Sequence, residues 1–221
     1  MASVEKLKQK VKPRLRGVLH EQAFYVSLLA GVLLVATATE TVRTLVAALI
    51  FAVSVSALLG VSALYHRVNW QPRARKWLRR LDHSMIFLLI AGTYTPFALL
   101  VLDGQLADTL LIVVWSAAIA GSIAELVLAD ASKWIMAIVC ISLGWVSIIA
   151  LPDIAEQIGM IGTVLLAAGG VAYTAGAVVY ATQKPDPAPA TFGYHEVFHL
   201  LVVVAIALQY AVVAFWALPT G

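Results

Sequence analysis

The sequence predicts an all-α membrane protein with seven transmembrane helices, a cytoplasmic N-terminus and a C-terminus outside. Three observations support the class. The 221 residues are 62% hydrophobic and only 12% charged, which is about half the charged share of a soluble domain. The apolar residues form blocks close to the roughly 20 residues that a helix needs to cross the hydrocarbon core. These blocks lack the alternation of β-barrel strands, so they must be helices that satisfy their own backbone hydrogen bonds in lipid.

The apolar blocks divide the chain into a basic N-terminal segment, residues 1–21, and a transmembrane domain, residues 22–217. The predicted spans lie at about 22–39, 45–66, 82–102, 108–128, 133–151, 157–181 and 194–217. Proline supports these limits, because seven of the eight prolines lie outside the predicted helices. Only Pro96 lies inside one, and we expect it to kink the third helix.

The orientation follows from the positive charges, which lie almost entirely on one side of the spans. The N-terminal segment and the loops after spans two, four and six contain every one of the 15 Lys and Arg residues except Arg43. Because positively charged loops stay in the cytoplasm, the N-terminus is predicted to be cytoplasmic. The basic segments are also expected to bind anionic lipid headgroups, and their charge indicates a membrane surface as the partner, not nucleic acid.

Ionisable residues collect toward the predicted cytoplasmic ends of four different helices. Charged groups are costly inside a membrane, so each of them requires an explanation. Random scatter would have placed some of them toward the outer side. The shared depth therefore indicates a site, and its candidate residues are His66, Asp82, His83, Glu125, His195, Glu196 and His199.

The segment His195-Glu-Val-Phe-His199 carries two histidines four residues apart, on one helix face and about 6 Å apart along the axis. Two such imidazoles can bind one metal ion, and His66 lies at the right depth for a third ligand. Three histidines and a water form a catalytic type of zinc site, in which zinc lowers the pKa of the water to roughly 7. Asp82 could orient or deprotonate this water, or hold a ligand imidazole. Ser62 lies one turn before His66, so its hydroxyl could reach the same cavity.

Simpler interpretations of the same residues stay open. The histidine pair could lie at the membrane surface, bonded to headgroups and water. Asp82 could pair with Arg79 or Arg80 near the start of its helix. His83 and Glu125 could be boundary residues. The coincidence of three histidines at one depth favours the metal site over these interpretations.

Four segments of the chain resemble the haemolysin III family, the bacterial branch of the progestin and adipoQ receptors, which is related to the alkaline ceramidases. The segments are Ser62-Ala-Leu-Tyr-His66, Leu81-Asp82-His83-Ser84, Ala91-Gly-Thr-Tyr-Thr-Pro96 and His195-Glu-Val-Phe-His199. The resemblance covers nearly the whole chain and implies seven spans in the bacterial inner membrane with the N-terminus inside. It also implies zinc held by His66, His195 and His199, with Asp82 and Ser62 near the bound water.

The ceramidase relatives hydrolyse lipid amides, so we expect a zinc-dependent hydrolase of a lipid amide or ester drawn from the bilayer. Three alternatives stay open. Zinc could be structural in a receptor or sensor without turnover. The protein could be a pore-forming cytolysin, although no span resembles a polar channel lining. The string His-Glu-x-x-His could belong to an intramembrane protease with Glu196 as general base, but its partner Asp103 would then lie about a membrane thickness from His195.

Overall fold

The structure, a computed structural model, describes residues 12–38, 40–127 and 132–221. Within these ranges the secondary structure is helical apart from an isolated antiparallel bridge between Ala188 and Phe192, which confirms the all-α class. A 3₁₀ helix, Trp145–Ile149, continues the fifth α-helix, and a π-helical segment, Val213–Ala217, continues the seventh to a last turn at Leu218–Thr220. The seven main helices are α1 Val18–Thr37, α2 Val42–Arg67, α3 Pro72–Leu100, α4 Gly104–Val127, α5 Lys133–Gly144, α6 Leu151–Thr182 and α7 Tyr194–Val212.

Six of the helices in the described ranges are long and apolar enough to cross a membrane, so the chain is a multi-pass membrane protein. The shorter one is α5, with 12 residues of α-helix followed by five of 3₁₀ helix. Because a 3₁₀ helix rises more per residue than an α-helix, this element is about 28 Å long, close to the thickness of about 30 Å of the hydrocarbon core. A seventh crossing by α5 and the orientation of the helices stay predictions.

Five of the described helices, α1, α2, α3, α4 and α6, begin earlier than the predicted spans, because a helix continues beyond the hydrocarbon when its residues favour helical structure. The first, α1, begins at Val18 instead of 22. The third, α3, begins at Pro72 instead of 82, so most of the expected loop at 67–81 is helical. Proline at the first helical position has a suitable φ and loses no hydrogen bond there, and the Arg and Lys residues that follow are good helix formers.

The start of α6 differs as well. The helix begins at Leu151, six residues before the predicted span, and Pro152 lies in its first turn. Its backbone leaves the helical conformation at Gly159, where φ is 68° and ψ is 179°. A residue with a side chain would be strained at this positive φ, so glycine permits the break. The prediction that seven of the prolines lie outside the helices is therefore wrong for Pro72 and Pro152, which lie in first turns, and for Pro219, which lies in the last turn at Leu218–Thr220.

Sequence neighbours pack against each other from α1 to α4, α5 contacts α3 and α6, and α7 contacts α6 and α1. The contact between α1 and α7 closes the bundle. The second and third helices approach closely at Gly92, where there is no side chain to hold them apart. A Cβ atom added to Gly92 would lie only 2.0 Å from the Ser54 Oγ atom. The closure brings the start of α1, the end of α2 and the starts of α3 and α7 to one end of the bundle.

Candidate metal centre

Three histidines meet at this end of the bundle. His66 lies in the last turn of α2, and His195 and His199 lie in the first two turns of α7. The Nε2 atoms of His66 and His195 are 3.1 Å apart, and one ring nitrogen from each of the three histidines lies within 4.8 Å of the others. The structure thus brings together the three ligands that the sequence predicts, and the group could bind a metal ion.

The chemistry of this donor set fits a metal ion. His66 and His199 are buried, and His195 is half-buried, so little water reaches their ring nitrogens. A hydrogen bond between two neutral imidazoles uses one nitrogen of each ring, so it can join only two of the three histidines. A metal ion would bind a lone pair from all three. Imidazole nitrogen suits zinc, copper, iron and nickel.

The first turn of α7 is fixed by Glu196, which is only 1% exposed. One oxygen of its carboxylate accepts the N–H of Gly193 at 2.8 Å, and the other accepts a hydrogen bond from Nε of Arg16. Glu196 is therefore turned into the protein and away from the lipid headgroups. Because both carboxylate oxygens have partners, the geometry also argues against Glu196 as the general base of a protease.

Asp82 and Ser62 lie beside the histidines. The Asp82 Oδ2 atom is 3.7 Å from the His66 Nε2 atom, and Ser62 is buried one turn before His66 in α2. Ser62 and Asp82 line the same cavity. Arg80 instead donates from Nη1 to the Leu126 carbonyl oxygen at 2.9 Å. The Asp82 carboxylate therefore faces the histidine group.

A cavity of about 200 Å³ extends from this group into the bundle. Its polar end contains Asp82, Ser62, His195 and His199, and most of its remaining wall is apolar. Gln209 lies toward the far end, 14 residues after His195 and hence about 21 Å further along α7. An apolar cavity that ends in a few polar groups is the usual form of a small-molecule site.

The sequence does not predict three further interactions at the end of the bundle that carries the histidines. His20 of α1 is 2% exposed, and its ring is stacked on that of His199 with the centroids 3.7 Å apart and an angle of 4° between the planes. His83 Nδ1 lies 3.4 Å from Glu125 Oε2, so these two residues form a pair. The third interaction is that of Arg16 with Glu196. His20 is not among the candidates from the sequence, because the predicted first span begins at 22. The feature of the sequence that points to His20 is the polar turn directly before the first apolar block.

The chain is similar in sequence to several known proteins. The family model described as "Haemolysin-III related" matches residues 8–210. "Hemolysin-3" from Bacillus cereus is 34% identical over 207 residues, which cover 93% of this chain and 91% of that protein. "Hemolysin-3 homolog" from Bacillus subtilis (strain 168) is 33% identical over 167 residues, 76% of this chain and 75% of that protein. The human "Monocyte to macrophage differentiation factor" is 25% identical over 172 residues, 75% of this chain and 68% of that protein.

Proposed function

The chain belongs to the haemolysin-III related family, and on this basis we propose that it is a zinc-dependent hydrolase of a lipid amide or ester. One observation carries the proposal. Three metal-binding side chains and a carboxylate lie at the polar end of a long apolar cavity. An acyl chain fits such a cavity, and its carbonyl group would then lie at the polar end.

The three imidazoles of His66, His195 and His199 would hold the metal ion. Bound zinc supplies a Lewis acid that polarises a carbonyl oxygen and makes water a nucleophile at neutral pH. Asp82 can accept the proton that this water loses, because its carboxylate faces His66. The Ser62 hydroxyl can hold the Asp82 carboxylate by a hydrogen bond, and the apolar walls exclude bulk water.

The proposal includes the orientation of the site. Of the basic residues in the described ranges, all except Arg43 lie at the same end of the bundle as the histidines, and the positive-inside rule predicts that this end is cytoplasmic. Desolvation, together with the positive charges of Arg75 and Arg67, lowers the pKa of Lys12. The segment before α1 and the start of α3 therefore form one positive surface, which would bind anionic headgroups around the site.

The experiment that tests this function combines metal analysis with lipid mass spectrometry. Purified wild type and Asp82→Ala should both contain about one zinc per chain, and cells with Asp82→Ala should accumulate an amide- or ester-linked lipid. Asp103→Ala is the matched control, because Asp103 is an exposed carboxylate between α3 and α4, at the opposite end of the bundle. Identical lipids in wild-type and Asp82→Ala cells would contradict turnover and favour a receptor with a structural metal ion.

The name Hemolysin-3, carried by the Bacillus cereus relative, supports a second candidate, a pore-forming protein. A pore requires no metal, so leakage of a dye from liposomes would continue after chelation. Leakage that is absent, or that requires the metal, would exclude a metal-independent pore.

A further inference from the structure

His20 is among the most buried polar residues in the described part of the chain, and it contacts His199 by ring stacking. Its side chain lies on α1, is 2% exposed and lines the same cavity as Ser62 and His199. Neither ring nitrogen makes a hydrogen bond. A buried polar group without a partner is costly, and such groups in native proteins generally have a partner in the functional state. The His20 imidazole can therefore bind a polar group of a molecule that occupies the cavity.

His20 cannot bind the ion held by the three other histidines. An imidazole binds a metal through a lone pair in the plane of its ring. The rings of His20 and His199 are parallel, with their centroids 3.7 Å apart, so their lone pairs cannot point at one ion. His20 is also outside the set whose ring nitrogens lie within 4.8 Å of one another. The stacking instead places a free imidazole directly beside a metal ligand.

We propose that His20 binds the acyl oxygen of a lipid held in the cavity beside the metal centre. A neutral imidazole has one N–H donor and one acceptor nitrogen, and its donor can bond a carbonyl or carboxylate oxygen. The cavity that His20 lines is otherwise apolar over most of its length, which fits the hydrocarbon part of the same molecule. This inference rests on the proposed function and assigns to its site a residue that recognises the substrate and the acyl product.

The test uses the full-length, zinc-loaded protein in detergent and radiolabelled palmitate as the probe. Palmitate carries the acyl oxygens of the proposed product and needs no turnover to bind. His20→Phe keeps an aromatic ring for the stack but removes both nitrogens, and His20→Gln keeps a donor without the ring. Phe24→Leu is the control for changes in α1, because Phe24 lies one turn after His20, packs against Gly60 and is not in the cavity wall.

We expect all three variants to keep about one zinc per chain. His20→Phe should bind palmitate about tenfold more weakly, as expected for the loss of a hydrogen bond to a charged group. His20→Gln and Phe24→Leu should stay within about threefold of wild type. If His20→Phe does not fold, His20→Leu compared with His20→Gln gives the same contrast.

Three results of the binding measurement would overturn the inference. They are wild-type affinity in His20→Phe, an equal loss in Phe24→Leu, and wild-type protein that does not bind palmitate. Loss of zinc in His20→Phe would also overturn it, because His20 would then act by positioning His199. The proposed function fails by a different result, which is an absence of lipid hydrolysis by wild type. The two failures are therefore distinguishable.

Discussion

The guanidinium of Arg16 donates from Nε to a carboxylate oxygen of Glu196, and this ion pair joins the segment before α1 to the first turn of α7. The other oxygen of Glu196 accepts the N–H of Gly193. The backbone of the same segment pairs with the loop before α7, because the N–H of Arg14 donates to the carbonyl of Ala190 at 3.1 Å. The N-terminal segment thus holds the helix that carries His195 and His199.

The first prediction concerns this ion pair. Arg16→Ala leaves the Glu196 carboxylate buried without a counter-charge, so we expect it to lower the free energy of unfolding by about 3 kcal/mol. Arg14→Ala is the matched control and should change stability by less than about 0.5 kcal/mol, since Arg14 is exposed. Arg16→Met combined with Glu196→Gln should recover part of the loss. Thermal unfolding in detergent measures all three, and equal effects of Arg16→Ala and Arg14→Ala would contradict a role for the pair.

The second prediction concerns metal binding. His199→Ala removes one of three ligands, so the purified variant should lose nearly all of its metal. His83→Ala is the control, because His83 pairs with Glu125 and is outside the metal-binding group. Metal per chain, measured by plasma mass spectrometry after dialysis against a weak chelator, provides the comparison. Full retention of metal by His199→Ala would refute the site as described.

The third prediction concerns the approach of α2 and α3. A methyl group on Gly92 would lie 2.0 Å from Ser54 Oγ and 2.4 Å from Ser54 Cβ, so the helices would have to separate. We expect Gly92→Ala to cost about 1–3 kcal/mol of stability, as for other overpacked interiors. Gly170→Ala is the matched control, because nothing lies within 4 Å of an added Cβ there. A Gly92→Ala protein as stable as Gly170→Ala would show that this contact is looser than described.

The fourth prediction concerns orientation. In a Cys140→Ser background, a membrane-impermeant maleimide should label Asp103→Cys in intact cells. It should label Lys184→Cys only after the membrane is opened. Both positions are exposed, and they lie at opposite ends of the bundle, so they form a matched pair. The opposite pattern would place the N-terminus and the metal centre outside.

Much of the candidate site follows from position along the chain. A histidine that ends α2 and a pair that opens α7 must lie at the same end of the bundle once those helices cross the membrane in opposite directions. The ends of the helices are harder to predict. Polar and charged residues are tolerated beyond the hydrocarbon whether or not they are helical, so hydropathy could not distinguish a loop at 67–81 from the helix that begins at Pro72.

The sequence by itself determined the membrane class, the seven main helices and the three histidines that could bind a metal ion. The physical reason is that lipid permits only structures that satisfy their own backbone hydrogen bonds, and that a charged group inside the membrane is costly unless it has a partner. Only the tertiary structure showed that Glu196 is buried against Arg16 and that His20 stacks on His199. Both contacts join residues about 180 positions apart. They depend on the closure of α1 against α7, and no local pattern encodes which faces of two distant helices meet.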